Sequence, residues 1–153
     1  MRSPRGKVDM YFDELPTGYR FETGKRSISE AEIIAFAKEY DPQPFHMDPE
    51  AAKDSIYGGL ISSGVQTMGV ALRLILESGV WTDASMGSPG LDAVRFVRPV
   101  RPGDTLQVKG EVLGAEPSKT RPDRGRTRLR YEVFNQSDEI VMTWEAIQLL
   151  KRR

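Results

Sequence analysis

The chain has 153 residues, 39% of them apolar and 29% charged, a length and balance suited to one globular domain with a proper core. Its 22 Lys and Arg equal its 22 Asp and Glu, so no global field draws it to nucleic acid or an anionic membrane. With no cysteine it has no disulfide, no thiolate metal site and no thiol nucleophile.

Met1 to Asp13 mixes charges with Pro4 and Gly6 and lacks the apolar run of a signal peptide. Residues 1–11 are expected to be a flexible arm of a single domain spanning 1–153, and the cytoplasm is the expected compartment. Tyr19-Arg20-Phe21-Glu22 follows a Pro16-Thr17-Gly18 turn and predicts a first strand. Ser29 stands as a helix N-cap, with Glu30 and Glu32 in the first turn, where the helix dipole favours acids. Ile33, Ile34, Phe36, Ala37 and Tyr40 then recur at helical spacing until Pro42 stops the helix.

Three prolines between Asp41 and Pro49 predict a rigid loop with no regular helix, and Asp48 is placed to cap a short helix starting at Pro49. After Gly58-Gly59, Ser62-Ser63-Gly64 leads into a helix over 65–77. Val65, Met68, Val70, Ala71, Leu72, Leu74, Ile75 and Leu76 cover nearly all its sides, which predicts burial all round. The same stretch is too short to span a bilayer.

The rest of the chain changes period. Leu106, Val108 and Val112 alternate with Gln107, Lys109 and Glu111, and Thr127, Leu129, Tyr131 and Val133 alternate with Arg126, Arg128, Arg130 and Glu132. Residues 91–100 and 140–150 supply two more strands. Arg101-Pro102-Gly103-Asp104 fits a type II turn, expected to join two of them as a hairpin. Ile140, Met142, Trp144 and Ala146 share one parity while Ile147 and Leu149 take the other, which predicts a bulge near Ala146 or cover on both faces. Strands segregated from helices mean an α+β architecture, a curved antiparallel sheet around the long helix, with a second subunit completing the cover.

His46, the only histidine, lies five residues after Asp41. Histidine titrates near neutrality and a neighbouring carboxylate tunes it, so the pair is suited to moving protons to and from water. Spacing alone leaves a second reading open, in which Asp41 ends a helix and His46 decorates a loop. The glycine segment before the long helix aims free N–H groups at any oxyanion or thioester carbonyl, while its serines serve equally well as caps. Lys119, Arg121, Arg124, Arg126, Arg128 and Arg130 form a basic set, either solvated or in contact with phosphates. Asp48, Glu50 and Asp54 beside a single histidine make a poor transition-metal set, so no metal is expected.

Phe36-Ala37-Lys38-Glu39-Tyr40-Asp41-Pro42-Gln43-Pro44-Phe45-His46, then Ala51-Ala52, then Gly58-Gly59-Leu60-Ile61-Ser62-Ser63-Gly64, resembles the MaoC-like dehydratase family, which includes the (R)-specific enoyl-CoA hydratases. Arg98-Pro99-Val100-Arg101-Pro102-Gly103-Asp104-Thr105-Leu106 is similar to that family's strand-turn-strand segment. The resemblance implies a hot-dog fold, a homodimer or dimer-based oligomer, and an acyl-CoA or other acyl-thioester substrate that brings its own coenzyme A, with no separate cofactor. It puts Asp41 and His46 at the hydratase dyad positions and the Gly64 N–H against the thioester oxygen. Ser63, Gln43 and Phe45 complete the expected substrate-binding set. Gln43 and Phe45 replace the usual Asn and aliphatic residue, a departure that bears on which acyl group fits. A non-catalytic acyl-thioester-binding protein and a hot-dog thioesterase are the alternatives to the hydratase.

Overall fold

Alternating side chains decide the faces of five strands, β1 (Arg20–Ser27), β2 (Gly90–Phe96), β3 (Thr105–Pro117), β4 (Arg124–Phe134) and β5 (Ile140–Lys151). The computed structural model describes residues 10–153, so most of the arm expected over 1–11 lies outside the described residues; Met10 and Tyr11 pack against the core. The strands form one sheet in the order β1-β3-β4-β5-β2, every neighbour antiparallel. Along β4, Thr127, Leu129, Tyr131 and Val133 are buried, while Arg126 and Arg128 face solvent. This is the period-two pattern that the sequence predicts.

Among the described residues four α-helices lie before β2: α1 (Glu30–Tyr40), α2 (Pro44–Met47), α3 (Pro49–Lys53) and α4 (Gly64–Ser78). Ser29 caps α1 in a reciprocal box, accepting from the Glu32 N–H while the Glu32 carboxylate accepts from the Ser29 N–H. Asp48 caps α3 through the Glu50 N–H at 2.9 Å. The sheet curls over α4, which packs mainly on β1 and β3. Val70, Ala71, Leu74 and Ile75 of α4 meet Leu106, Val108, Leu129, Val133 and Met142 in the core, the helix-in-sheet arrangement of a hot-dog fold.

Four expectations change. The proline segment does contain a helical turn, α2, because Pro44 sits at its start, where a missing N–H costs nothing. Helix α4 is buried on one stripe only: Gln66, Thr67, Val70, Ala71, Leu74, Ile75 and Ser78 face in, whereas Val65 is 63% and Leu72 44% exposed. The turn at 101–104 forms, with Gly103 at φ 87° and the Asp104 N–H on the Arg101 carbonyl, but it makes no hairpin. Pro99 and Pro102 cannot donate to a ladder, so the chain leaves the β2 edge and enters β3 beside β1. There is no bulge at Ala146. Met142, Trp144, Ala146, Gln148 and Leu150 keep one parity, and Val141 and Thr143 are buried as well, so this part of β5 is covered on both faces, as the alternative reading has it, but on an interior strand and not an edge.

Candidate active site

Pro42 ends α1 and bends the chain so tightly that the Gln43 N–H returns to the Asp41 carbonyl at 2.7 Å. Gln43 is then the N-cap residue of α2, and that single turn carries the His46 ring inward, where the residue is 5% exposed. His46 Nδ1 lies 2.8 Å from the Ile61 carbonyl oxygen. A carbonyl only accepts, so Nδ1 carries the proton and Nε2 is left for chemistry. Nε2 faces Asp41 Oδ2 at 3.3 Å.

Asp41, the C-cap of α1, accepts on both oxygens: Gln43 Nε2 donates to Oδ1 and Ser63 Oγ donates to Oδ2, each at 2.7 Å. The Gln43 donor above all, then Ser63 and the neighbouring His46, hold the Asp41 carboxyl below the usual carboxylate range against the opposing pull of burial. Ser63 is also the N-cap of α4, where its Oγ accepts from the Val65 N–H at 3.3 Å. Gly64 follows as the first residue of α4, and its N–H has no partner among the described residues. A Cβ at this position would lie 2.4 Å from the Phe96 ring, so glycine is needed for the close approach of Phe96. Behind it, Gln66 Nε2 donates to the Glu32 carbonyl and Ser62 Oγ to Gln66 Oε1, pinning the start of α4 to α1.

These groups open into a cleft of about 490 Å³. All six sequence candidates, Asp41, Gln43, Phe45, His46, Ser63 and Gly64, line it. The Phe45 ring stands edge-on to His46 at 4.5 Å and packs on Tyr57 at 5.3 Å, making an aromatic wall. Arg101 braces that wall by donating to the Tyr57 carbonyl at 2.6 Å. Sequence reasoning missed Tyr57, Phe96, Arg98 and the Ile61 carbonyl. Tyr57 beside Gly58-Gly59 is the one signal that pointed there. The basic set lies elsewhere: Arg128 pairs with Asp92 and Glu145, Arg130 with Glu132 and Arg124 with Asp123. Asp48 is spent on its cap and Glu50 on Lys53, and no three metal-ligating side chains gather among the described residues.

A larger hollow, about 600 Å³, lies over β1, β3 and β4. Its charges pair off, Arg20 with Glu111 and Lys109 with Glu22. The smaller cleft is the candidate site. Asp41 Oδ2 and His46 Nε2 are both acceptors 3.3 Å apart, so one water can donate to the two of them, and Gly64 beside them is a candidate contact for an acyl oxygen.

The sequence family model described as MaoC like domain matches residues 14–133. An uncharacterized protein of Bacillus subtilis, YdeM, is 33% identical over 143 residues, covering 94% of this chain and 100% of that one. The 3-hydroxybutyryl-CoA dehydratase of Methylorubrum extorquens is 29% identical over 143 residues, covering 90% of this chain and 82% of its own. Among solved structures, a MaoC-like dehydratase from Rhodospirillum rubrum matches with a TM-score of 0.87 at 38% identity, covering 94% of this chain and 98% of that one.

Proposed function

The chain belongs to the MaoC-like domain family, and from that premise we propose that it is a hydro-lyase adding water reversibly across a trans-2-enoyl-CoA to give the (R)-3-hydroxyacyl-CoA. The observation that carries this reading is the pair formed by the buried His46 and the half-buried Asp41, 3.3 Å apart, in a cleft that Gly64 also lines. Asp41 and His46 hold one water. Its oxygen bonds to C3 as its proton passes to the pair, and the C2=C3 π electrons move toward the thioester. The resulting enolate oxygen is stabilised by the Gly64 N–H and the dipole of α4, and C2 then takes a proton from the pair. Acid and base are properties of the coupled pair, not of one residue each. Ser63 and Gln43 hold the carboxylate, and Phe45 and Tyr57 wall the cleft beside the imidazole.

A dyad fixed on one short turn delivers water to one face of the enoyl group, provided the thioester oxygen stays on Gly64. Loss of the conjugated enoyl absorbance on mixing with a short trans-2-enoyl-CoA, followed by oxidation with stereospecific dehydrogenases, tests both statements. The (R) product is expected. Predominant (S) product overturns the stereochemistry, and no hydration of straight-chain, branched or dicarboxylic enoyl-CoAs favours a binding protein instead.

The working unit in this proposal is a homodimer. No residue of β2 is fully buried, and Leu91, Phe96 and Val97 at that sheet edge, with Val65 and Leu72 of α4, are large exposed apolar side chains. A second copy would cover the edge and the helix flank together. Sedimentation of a stable folded monomer at micromolar concentration would contradict it. No helix among the described residues is long and apolar enough to cross a membrane.

A further inference from the structure

Gln43 is bonded to both members of the pair. Its side-chain amide donates to Asp41 Oδ1 at 2.7 Å, its backbone N–H donates to the Asp41 carbonyl at 2.7 Å, and its own carbonyl accepts the His46 N–H at 2.9 Å. Without the amide, the carboxylate could turn about its Cβ–Cγ bond, since Ser63 restrains Oδ2 alone. With both oxygens engaged, Oδ2 stays directed at His46 Nε2. The other titratable or charged side chains of the cleft wall are His46, Tyr57 and Arg98, and of these only His46 acts on the Asp41 charge.

We propose that Gln43 is a positioning residue, which fixes the rotation and the ionised state of the Asp41 carboxylate, and that its length is matched to this backbone. The inference rests on reading Asp41 and His46 as the dyad. It takes Gln43 out of contact with substrate and explains why the residue differs from the Asn usual in the hydratases it resembles. An Asn amide would end one methylene short, about 1.5 Å, which opens the 2.7 Å contact beyond hydrogen-bond range on the same backbone.

The test compares Gln43→Ala, Gln43→Asn and Gln43→Glu with the wild type in pH profiles of kcat and KM on the substrate the wild type prefers. The sign follows from the charge. A donor to the carboxylate favours its ionised form, so its loss raises the pH below which activity falls. The acid limb is expected to move up by about one pH unit in Gln43→Ala and Gln43→Asn. It moves further in the isosteric Gln43→Glu, where two carboxyls in contact cannot both ionise. Plateau kcat falls about tenfold while KM stays within about twofold. Superimposable acid limbs for Gln43→Ala and Gln43→Glu overturn the proposal, as does a raised KM with kcat and limb unchanged, which puts Gln43 on the substrate. Recovery of the wild-type profile by Gln43→Asn overturns the length argument. Carbon-13 NMR titration of the Asp41 carboxyl in wild type and Gln43→Ala reads the same shift without turnover. A chain that hydrates nothing therefore defeats the dyad reading separately, while an unmoved Asp41 midpoint defeats this one.

Discussion

The outer face of the sheet and the segment from Asp41 to Ser63 both carry many polar side chains, and they spend them differently. On the sheet, Arg20 meets Glu111, Arg128 meets Asp92 and Glu145, and Arg130 meets Glu132, all at side chains that keep substantial exposure to water. Pairs of that kind are each worth about 1 kcal/mol or less, because solvent screens the attraction and long side chains lose freedom. Between Asp41 and Ser63 the charges are fewer and the contacts shorter. His46 is buried, Asp41 accepts from two side chains, and Ser63 is fully enclosed. Low local dielectric makes the bonds of the buried His46 and Ser63 count for more, while the Gln43 amide reaches Asp41 from the exposed side. The larger hollow lies over the paired charges and the smaller one over the enclosed set. Enclosure of a titratable group, and not the volume of the hollow, is what nominates the cleft as the candidate site.

Four substitutions probe that contrast. Asp41→Asn and His46→Ala should each lower hydration turnover about a thousandfold while circular dichroism keeps the folded signal, since general acid–base groups contribute on that scale. Near-normal turnover of either variant removes the dyad from the mechanism. Leu129→Ala, at a fully buried position of β4, should cost about 3 kcal/mol in urea unfolding and leave kcat per folded molecule unchanged. A kinetic effect there would mean that the sheet interior and the cleft are coupled. Arg128→Ala should change stability by less than about 1 kcal/mol and leave KM for the CoA substrate unmoved. A raised KM would return the outer arginines to the role of phosphate contacts.

The sheet was legible wherever one face meets water. Arg126, Arg128 and Arg130 against Leu129, Tyr131 and Val133 state the period of β4 outright, and Ser29 with Glu32 states the start of α1. Strand order was not legible. A Pro-Gly turn looks the same whether it joins paired neighbours or carries the chain from one edge to the other side of the sheet, and pairing is settled by long-range packing. The exposed flank of α4 escaped because an apolar residue in sequence does not say whether its cover comes from the same chain. At the site, Asp41 and His46 became candidates only when their spacing was taken together with the glycine segment that ends at Gly64 and with the family resemblance. The Ile61 carbonyl that sets the imidazole tautomer leaves no sequence trace, since every residue has one. Phe96 and Arg98 reach the cleft only because the end of β2 folds back over Gly64.

Ser63 places a single hydroxyl in two circuits. It takes the Val65 N–H at the start of α4 and gives its own proton to Asp41. Each bond polarises the oxygen in the sense that strengthens the other, so the field at the helix end is transmitted to the carboxylate as well as to the Gly64 N–H. On the proposed reading, the contact for the acyl oxygen and the group that manages the proton thus share one source of positive potential. Any change that reshapes the start of α4 to admit a different acyl chain will also retune the acidity of the dyad, so substrate range and pH optimum in this scaffold are expected to change together.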